Sequence, residues 1–127
     1  MSEMKRILVI DDAATVRLYH REILEKAGYQ VAEAINGLEA LEKIEEAPFD
    51  LYLVDINMPK LDGYGFLRAL RQRETPQAPA IMISTESSDS DRQAALVAGA
   101  NLYILKPTRP EHLLPYVQSL LGEWQRT

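Results

Sequence analysis

Asp11 and Asp12 directly follow the apolar run ILVI, Asp55 follows LYLV, Ser84 closes AIMIS, and Lys106 follows LYIL. Three carboxylates, a hydroxyl and an ammonium are each delivered at the end of an apolar run. Crowded together, like charges are unfavourable unless a cation neutralises them, so the acidic set asks for a hard metal with oxygen ligands. Mg2+ suits it better than calcium, because it uses one or two carboxylates, keeps several waters and accepts phosphate oxygens. An Asp carboxylate can act as a nucleophile and form an acyl phosphate. A metal and a Lys then neutralise the phosphoryl oxygens, and a hydroxyl supplies one more hydrogen bond. These residue types together point to phosphoryl transfer.

The elements that must gather these side chains are legible as short β-rich runs alternating with stretches of helical period, the pattern of βαβ units around a parallel sheet. Strands are predicted over Arg6 to Ile10, Gln30 to Ala34, Asp50 to Val54, Ala80 to Ser84 and Leu102 to Leu105. ILVI, LYLV and AIMI are continuously apolar, as strands covered on both faces must be, whereas QVAEA is more polar and suits an edge. Val16, Tyr19, Ile23 and Ala27 recur at helical spacing and are predicted to form the buried stripe of the first helix, which Gly28 stops. Leu38, Leu41 and Ile44 mark the second helix, Tyr64 to Arg73 the third, and Asp89 to Ala98 the fourth, with Gly99 as its stop. The last is predicted from Pro110 to Trp124, with a stripe at Leu113, Leu114, Val117, Leu120, Leu121 and Trp124. In an open parallel sheet the ligand crevice lies outside the carboxyl ends of the strands, where the acidic residues, Ser84 and Lys106 fall.

The 127 residues, 46% hydrophobic and 26% charged, predict one globular domain spanning 1–127. A formal net charge of -5 argues against a general binder of nucleic acid or anionic membrane, because phosphate groups would repel such a surface. The absence of Cys removes disulfide, thiolate and zinc-thiolate chemistry. Met1 to Arg6 lacks the apolar segment of a secretion signal and no run is long enough to span a bilayer, so the expected location is cytoplasmic.

The motifs together resemble the receiver domain of bacterial two-component response regulators, and among these the stand-alone chemotaxis regulators of the CheY type. The resemblance rests on the pair Asp11 and Asp12, on DINMPKLDG from Asp55 to Gly63, on Ser84, on AGAN at Ala98 to Asn101, and on Lys106 with Pro107. It implies a doubly wound, flavodoxin-like α/β fold with five parallel strands in the order 2-1-3-4-5 and helices on both faces. It also implies that Asp55 is the phospho-acceptor, with Mg2+ held by Asp12 directly, by Asp11 largely through water, by Asp55 and by the backbone carbonyl of Asn57. Lys106 would pair with the phosphoryl group, Ser84 would be the switch hydroxyl, Tyr103 the aromatic that changes rotamer, and the Lys106-Pro107 bond would be cis. Asn57 and Glu86 would flank the water that ends the phosphorylated state. The implied partners are a sensor histidine kinase of the chemotaxis type and a flagellar motor switch protein or another output partner, with the regulator itself a monomer and no output domain following. Such a chain catalyses its own phosphorylation and dephosphorylation but is mainly a signalling switch.

Departures from the pattern are Ser84 where Thr is frequent, Ile56 in place of a Trp beside the acceptor, and Pro115, which should bend the last helix or move its start. His20 and His112 have no other ligand types at metal spacing and are read as surface residues. Other roles are open: a phosphorelay intermediate or phosphate sink, or a pseudo-receiver that binds partners without phosphorylation. A haloacid-dehalogenase-like phosphatase would want a second Asp where Asn57 stands, and in a flavin carrier Asp11 and Asp12 would repel the flavin phosphate.

Overall fold

The computed structural model describes residues 4–74 and 76–123. Five strands, β1 (Arg6–Ile10), β2 (Gln30–Ala34), β3 (Leu51–Asp55), β4 (Ala80–Ser84) and β5 (Leu102–Leu105), alternate with five helices. The helices are α1 (Ala14–Lys26), α2 (Gly37–Glu46), α3 (Gly63–Gln72), α4 (Asp89–Ala98) and α5 (Pro110–Leu120). All pairings are parallel and the sheet order is β2-β1-β3-β4-β5, so the polar strand QVAEA lies at an edge and LYLVD at the centre. This is the flavodoxin-like fold, with the crossover between β2 and β3 reversing the direction of winding beside β1.

Alternation along the central strands sends side chains to two cores. Leu8, Ile10, Tyr52, Val54 and Met82 meet α2, α3 and α4, with Ala40, Phe66, Leu67, Leu70 and Ala95 in the same cluster. Ile7, Val9, Leu51, Leu53, Ile81 and Ile83 meet α1 and α5 through Leu24, Leu113 and Val117. Helix starts follow sequence chemistry: the Asn36, Asp62 and Ser88 side chains accept from Glu39 N, Gly65 N and Asp91 N. Gly99 ends α4 in a left-handed conformation with φ 118°.

Several expectations need correction. β3 runs one residue further than expected, to Asp55, so the acceptor belongs to the strand itself. The inward side of α1 keeps Val16 and Ile23 of the predicted stripe, both half-buried, but its buried residues are His20 and Leu24, while Tyr19 is 42% exposed and Ala27 is also exposed. The fourfold spacing of Val16, His20 and Leu24 carries the burial, and a polar letter in its middle hid it. On α2, Leu41 and Ile44 face the core as expected, but Leu38 is exposed and Ala40 packs inward in its stead. Pro115 lies inside α5, whose start at Pro110 it does not move. Trp124, expected in the last stripe, lies outside the described residues. No helix of the described residues is long and apolar enough to cross a membrane.

Candidate phosphoryl-transfer site

At the carboxyl edge of the sheet, β1 and β3 lie side by side and place Asp11 and Asp55 just beyond their paired residues Ile10 and Val54. One carboxylate oxygen from each of Asp11, Asp12 and Asp55 falls within 4.8 Å of the others. Asp11 and Asp55 are buried and Asp12 is exposed, so the cluster has two walls and an open side. Asp12 does not cap α1: the cap position is Ala13, and it is Asp11 Oδ1 that accepts from Ala13 N at 2.9 Å. The Arg17 guanidinium donates to the Asp11 carbonyl at 2.8 Å and fixes the turn from the opposite side.

Lys106 answers the negative charge. Its Nζ lies 3.0 Å from Asp55 Oδ1 and 3.2 Å from Asp11 Oδ2. Burial pushes the Asp55 carboxyl above its ordinary value more strongly than the ammonium draws it down, and Asp11 and Asp12 push the same way. Burial works against the Lys106 ammonium, but its bonds to Asp55 and its field from Asp11 outweigh that and hold its pKa above the usual lysine value. Even with its lysine, the site remains short of positive charge.

Lys106 N donates to the Ser84 carbonyl at 2.8 Å, which ties β5 to the end of β4. The Lys106-Pro107 bond is cis, as expected. Ser84 is buried and its Oγ accepts from Glu86 N at 3.0 Å, leaving the hydroxyl proton for another acceptor. Thr85, Glu86 and Asn57, in the loops after β4 and β3, are exposed. Tyr103 is half-buried against the core, donates its hydroxyl to the Glu86 carbonyl at 2.7 Å, and carries the Arg92 guanidinium 5.2 Å from its ring centroid. The ring is therefore held to the loop before α4.

Gly63 closes the floor. A Cβ there would stand 2.5 Å from the Asp55 carbonyl, and Gly63 N donates to Ile56 O at 2.9 Å. Only a residue without a side chain lets α3 begin so close to the acceptor strand.

Residues 7–118, which carry the acidic cluster, the lysine and the strand-end hydroxyl, match the response regulator receiver domain. The chain belongs to that family. Among relatives, the receiver is 40% identical over 118 residues to the chemotaxis protein CheY of Bacillus subtilis, covering 92% of this chain and 98% of that protein. It is 37% identical over 122 residues to the transcriptional regulatory protein ResD of the same organism, covering 96% of this chain but 50% of that protein. The chain thus spans about half the length of such transcriptional relatives and nearly all of the chemotaxis one. Among solved structures, it resembles the receiver domain of the sensor histidine kinase PA1611 from Pseudomonas aeruginosa. The TM-score is 0.87 at 29% identity, with 94% of this chain and 99% of that one covered. That structure has a magnesium ion coordinated in its active site cleft. The receiver identity is shared by chemotaxis and transcriptional proteins alike.

His20 was missed in the sequence. It is 3% exposed, not a surface residue, and its Nε2 lies 2.6 Å from Thr108 Oγ1. Burial lowers its pKa to about 4, against the pull of Asp11. With Asp11, Asp55, Val9 and Ile83 it lines a narrow gap under the acidic cluster. The available signal was its position four residues from both Val16 and Leu24; His112, by contrast, is exposed as expected.

Proposed function

We propose that this receiver accepts a phosphoryl group on Asp55 from a phosphohistidine of a sensor histidine kinase and signals through the resulting change of shape, in the manner of chemotaxis regulators. The observation that carries the reading is the Lys106 ammonium set between Asp55 and Asp11, with Asp12 open beside them. The donor set is all oxygen, anionic and partly exposed, which fits Mg2+. Asp11, Asp12 and Asp55 would hold it, together with the Asn57 carbonyl, and it would supply charge neutralisation at the phosphoryl oxygens.

The chain's own residues do the rest. An Asp55 carboxylate oxygen attacks phosphorus and the P–N bond to the donor imidazole breaks, its electron pair staying on that nitrogen; the proton already on the other ring nitrogen makes the leaving imidazole neutral. Lys106 moves its hydrogen bond from the carboxylate to a phosphoryl oxygen, and the free Ser84 proton bonds another. Hydrolysis reverses the charge change when water attacks phosphorus in line, and Asn57 and Glu86 flank that approach. Both residue types match the chemotaxis pattern, so self-dephosphorylation within seconds to minutes is expected.

The test is incorporation of acid-labile phosphate from acetyl phosphate with Mg2+. Wild type incorporates it and Asp55→Asn does not; equal incorporation by the two proteins sinks the assignment. Phosphotransfer profiling against histidine kinases, followed by capture of partners with and without beryllofluoride, separates a motor-control role from a phosphorelay or sink. A phosphorylated half-life of many hours would remove the chemotaxis reading.

A further inference from the structure

The turn that carries Lys106 is anchored at both ends, and only one anchor belongs to the sheet. Before the turn, Lys106 N is bonded to Ser84 O at 2.8 Å. After it, Thr108 is 3% exposed and is held twice by α1: its hydroxyl by His20 Nε2 at 2.6 Å, and its carbonyl by the Tyr19 hydroxyl. These contacts join residues 88 and 89 positions apart in the chain, and Thr108 lies two residues beyond the lysine. His20 also lines the narrow gap shared with Asp11 and Asp55, so one residue borders both the acidic pair and the lysine turn. The Tyr19 and His20 rings meet edge to face, with centroids 5.3 Å apart, so the two groups that hold Thr108 are packed against each other.

Nothing in phosphoryl transfer itself requires an imidazole here, and a buried polar pair is costly unless each partner satisfies the other. An apolar pair would fill the same space. A directional bond adds a fixed angle at Thr108, and the fork of hydroxyl and carbonyl allows the Lys106 backbone little rotation. An ammonium at the end of four methylenes reaches two carboxylates at once only if its backbone is fixed, because rotamer freedom otherwise spreads it.

We propose that His20 is a positioning residue which, through Thr108, holds the Lys106 ammonium between Asp11 and Asp55 and so sets the rate of phosphoryl transfer without touching the phosphoryl group. The rate part of this inference rests on the reading of Asp55 as acceptor, but the ordering of Lys106 does not.

Phosphorylation of the full chain by acetyl phosphate is measured at saturating donor for wild type, His20→Val, Thr108→Val and the double variant, with Mg2+ affinity measured alongside. Each Val variant is expected to lose about tenfold in rate, as misplacement of a catalytic group does, with the double variant no slower than either single one. Mg2+ affinity does not fall, Thr108→Ser and His20→Gln restore the rate, and in a Lys106→Ala background Thr108→Val has no further effect. A parallel fall in metal affinity, or the same loss without Lys106, would show general damage and overturn the proposal. The second readout is NMR relaxation of the Lys106 Cε methylene, which needs no phosphate. Its order falls in Thr108→Val and returns in Thr108→Ser. If wild type takes no phosphate yet this pattern appears, the acceptor reading fails and the positioning stands; unchanged Lys106 order overturns the positioning whatever the phosphate result.

Discussion

Lys106 Nζ lies 3.0 Å from Asp55 Oδ1, bridging the strand-end carboxylate of β3 and the turn after β5. The same ammonium contacts Asp11, so before any chemistry it is the site's resident cation. A divalent ion bound nearby must tolerate that charge. Lys106→Ala should therefore bind Mg2+ about tenfold more tightly, since a repelling charge a few ångströms away is removed, while phosphate incorporation falls sharply. Metal titration of the variant checks both; weaker Mg2+ binding would mean that the lysine organises the carboxylates more than it competes for them.

Asp55 gives a stability prediction of definite sign. Its folded-state pKa is raised, chiefly by burial, so the ionised carboxylate costs stability above that pKa and the cost disappears as pH falls towards the ordinary value of 3.8. Asp55→Asn keeps the shape and removes the charge. Without metal it should melt at a higher temperature than wild type near neutral pH, and the two curves should converge as the solution is acidified. Melting profiles against pH that stay parallel would exclude this account.

His20 has the opposite linkage. Its pKa is lowered from 6.5 to about 4, so the unfolded chain binds a proton where the folded chain does not. Stability is full above 6.5 and declines as pH falls to about 4, by at most about 3 kcal/mol. The loss should be absent from His20→Gln. Urea unfolding of both proteins at about pH 7 and about pH 4.5 isolates the difference from the titration of other groups.

The fold was readable because its signals reinforce one another: three continuous apolar strands, a polar edge strand, and stop signals at Gly28 and Gly99. Asp11, Asp12, Asp55 and Lys106 were readable because each lies at or just beyond the carboxyl end of a strand, and parallel strands deliver such residues to one edge. His20 and Thr108 were not. A histidine in a stripe with Val16 and Leu24 reads as surface unless its partner is known, and that partner lies 88 residues away. The placement of Tyr103 was equally hidden, since the bond to the Glu86 carbonyl depends on the path of the loop after β4.

Gly63 ties the architecture to the acceptor. Gly63→Ala would place a methyl group 2.5 Å from the Asp55 carbonyl and 3.0 Å from Ile56 Cα, both backbone atoms that cannot turn aside. The variant should lose about 1–3 kcal/mol of stability, the range for forced overpacking of a core. The displaced Asp55 should also accept phosphate more slowly. Gly28→Ala meets nothing within 4 Å and pays only for its positive φ, so it serves as the control for local backbone strain. Equal effects of the two substitutions on phosphorylation would separate the acceptor geometry from the close approach at Gly63.

Transmission from Asp55 to the face formed by α4, β5 and α5 is expected to pass through Ser84. Its Oγ already accepts from Glu86 N, and the Glu86 carbonyl already receives the Tyr103 hydroxyl, so one residue of loop links the strand end to the ring. If the Ser84 proton bonds a phosphoryl oxygen, Glu86 must follow its acceptor and Tyr103 must follow or release Glu86. Arg92 over the ring and Tyr64, whose hydroxyl donates to Asp91 O at 3.4 Å, carry the movement into the start of α4. A phosphoryl group can shift this equilibrium only by its differential interaction with the two arrangements. Ser84→Ala should therefore still bind beryllofluoride at Asp55, yet lose the NMR shift changes at Glu86, Arg92 and Tyr103 that wild type shows. Tyr103→Ala should keep phosphorylation of Asp55 while reducing the gain in partner affinity on activation by about 1 kcal/mol or more, the usual size of such a coupling. Full shift changes in Ser84→Ala would mean that the signal leaves the site by another route, the turn between Lys106 and Thr108 being the nearest one tied to both carboxylates.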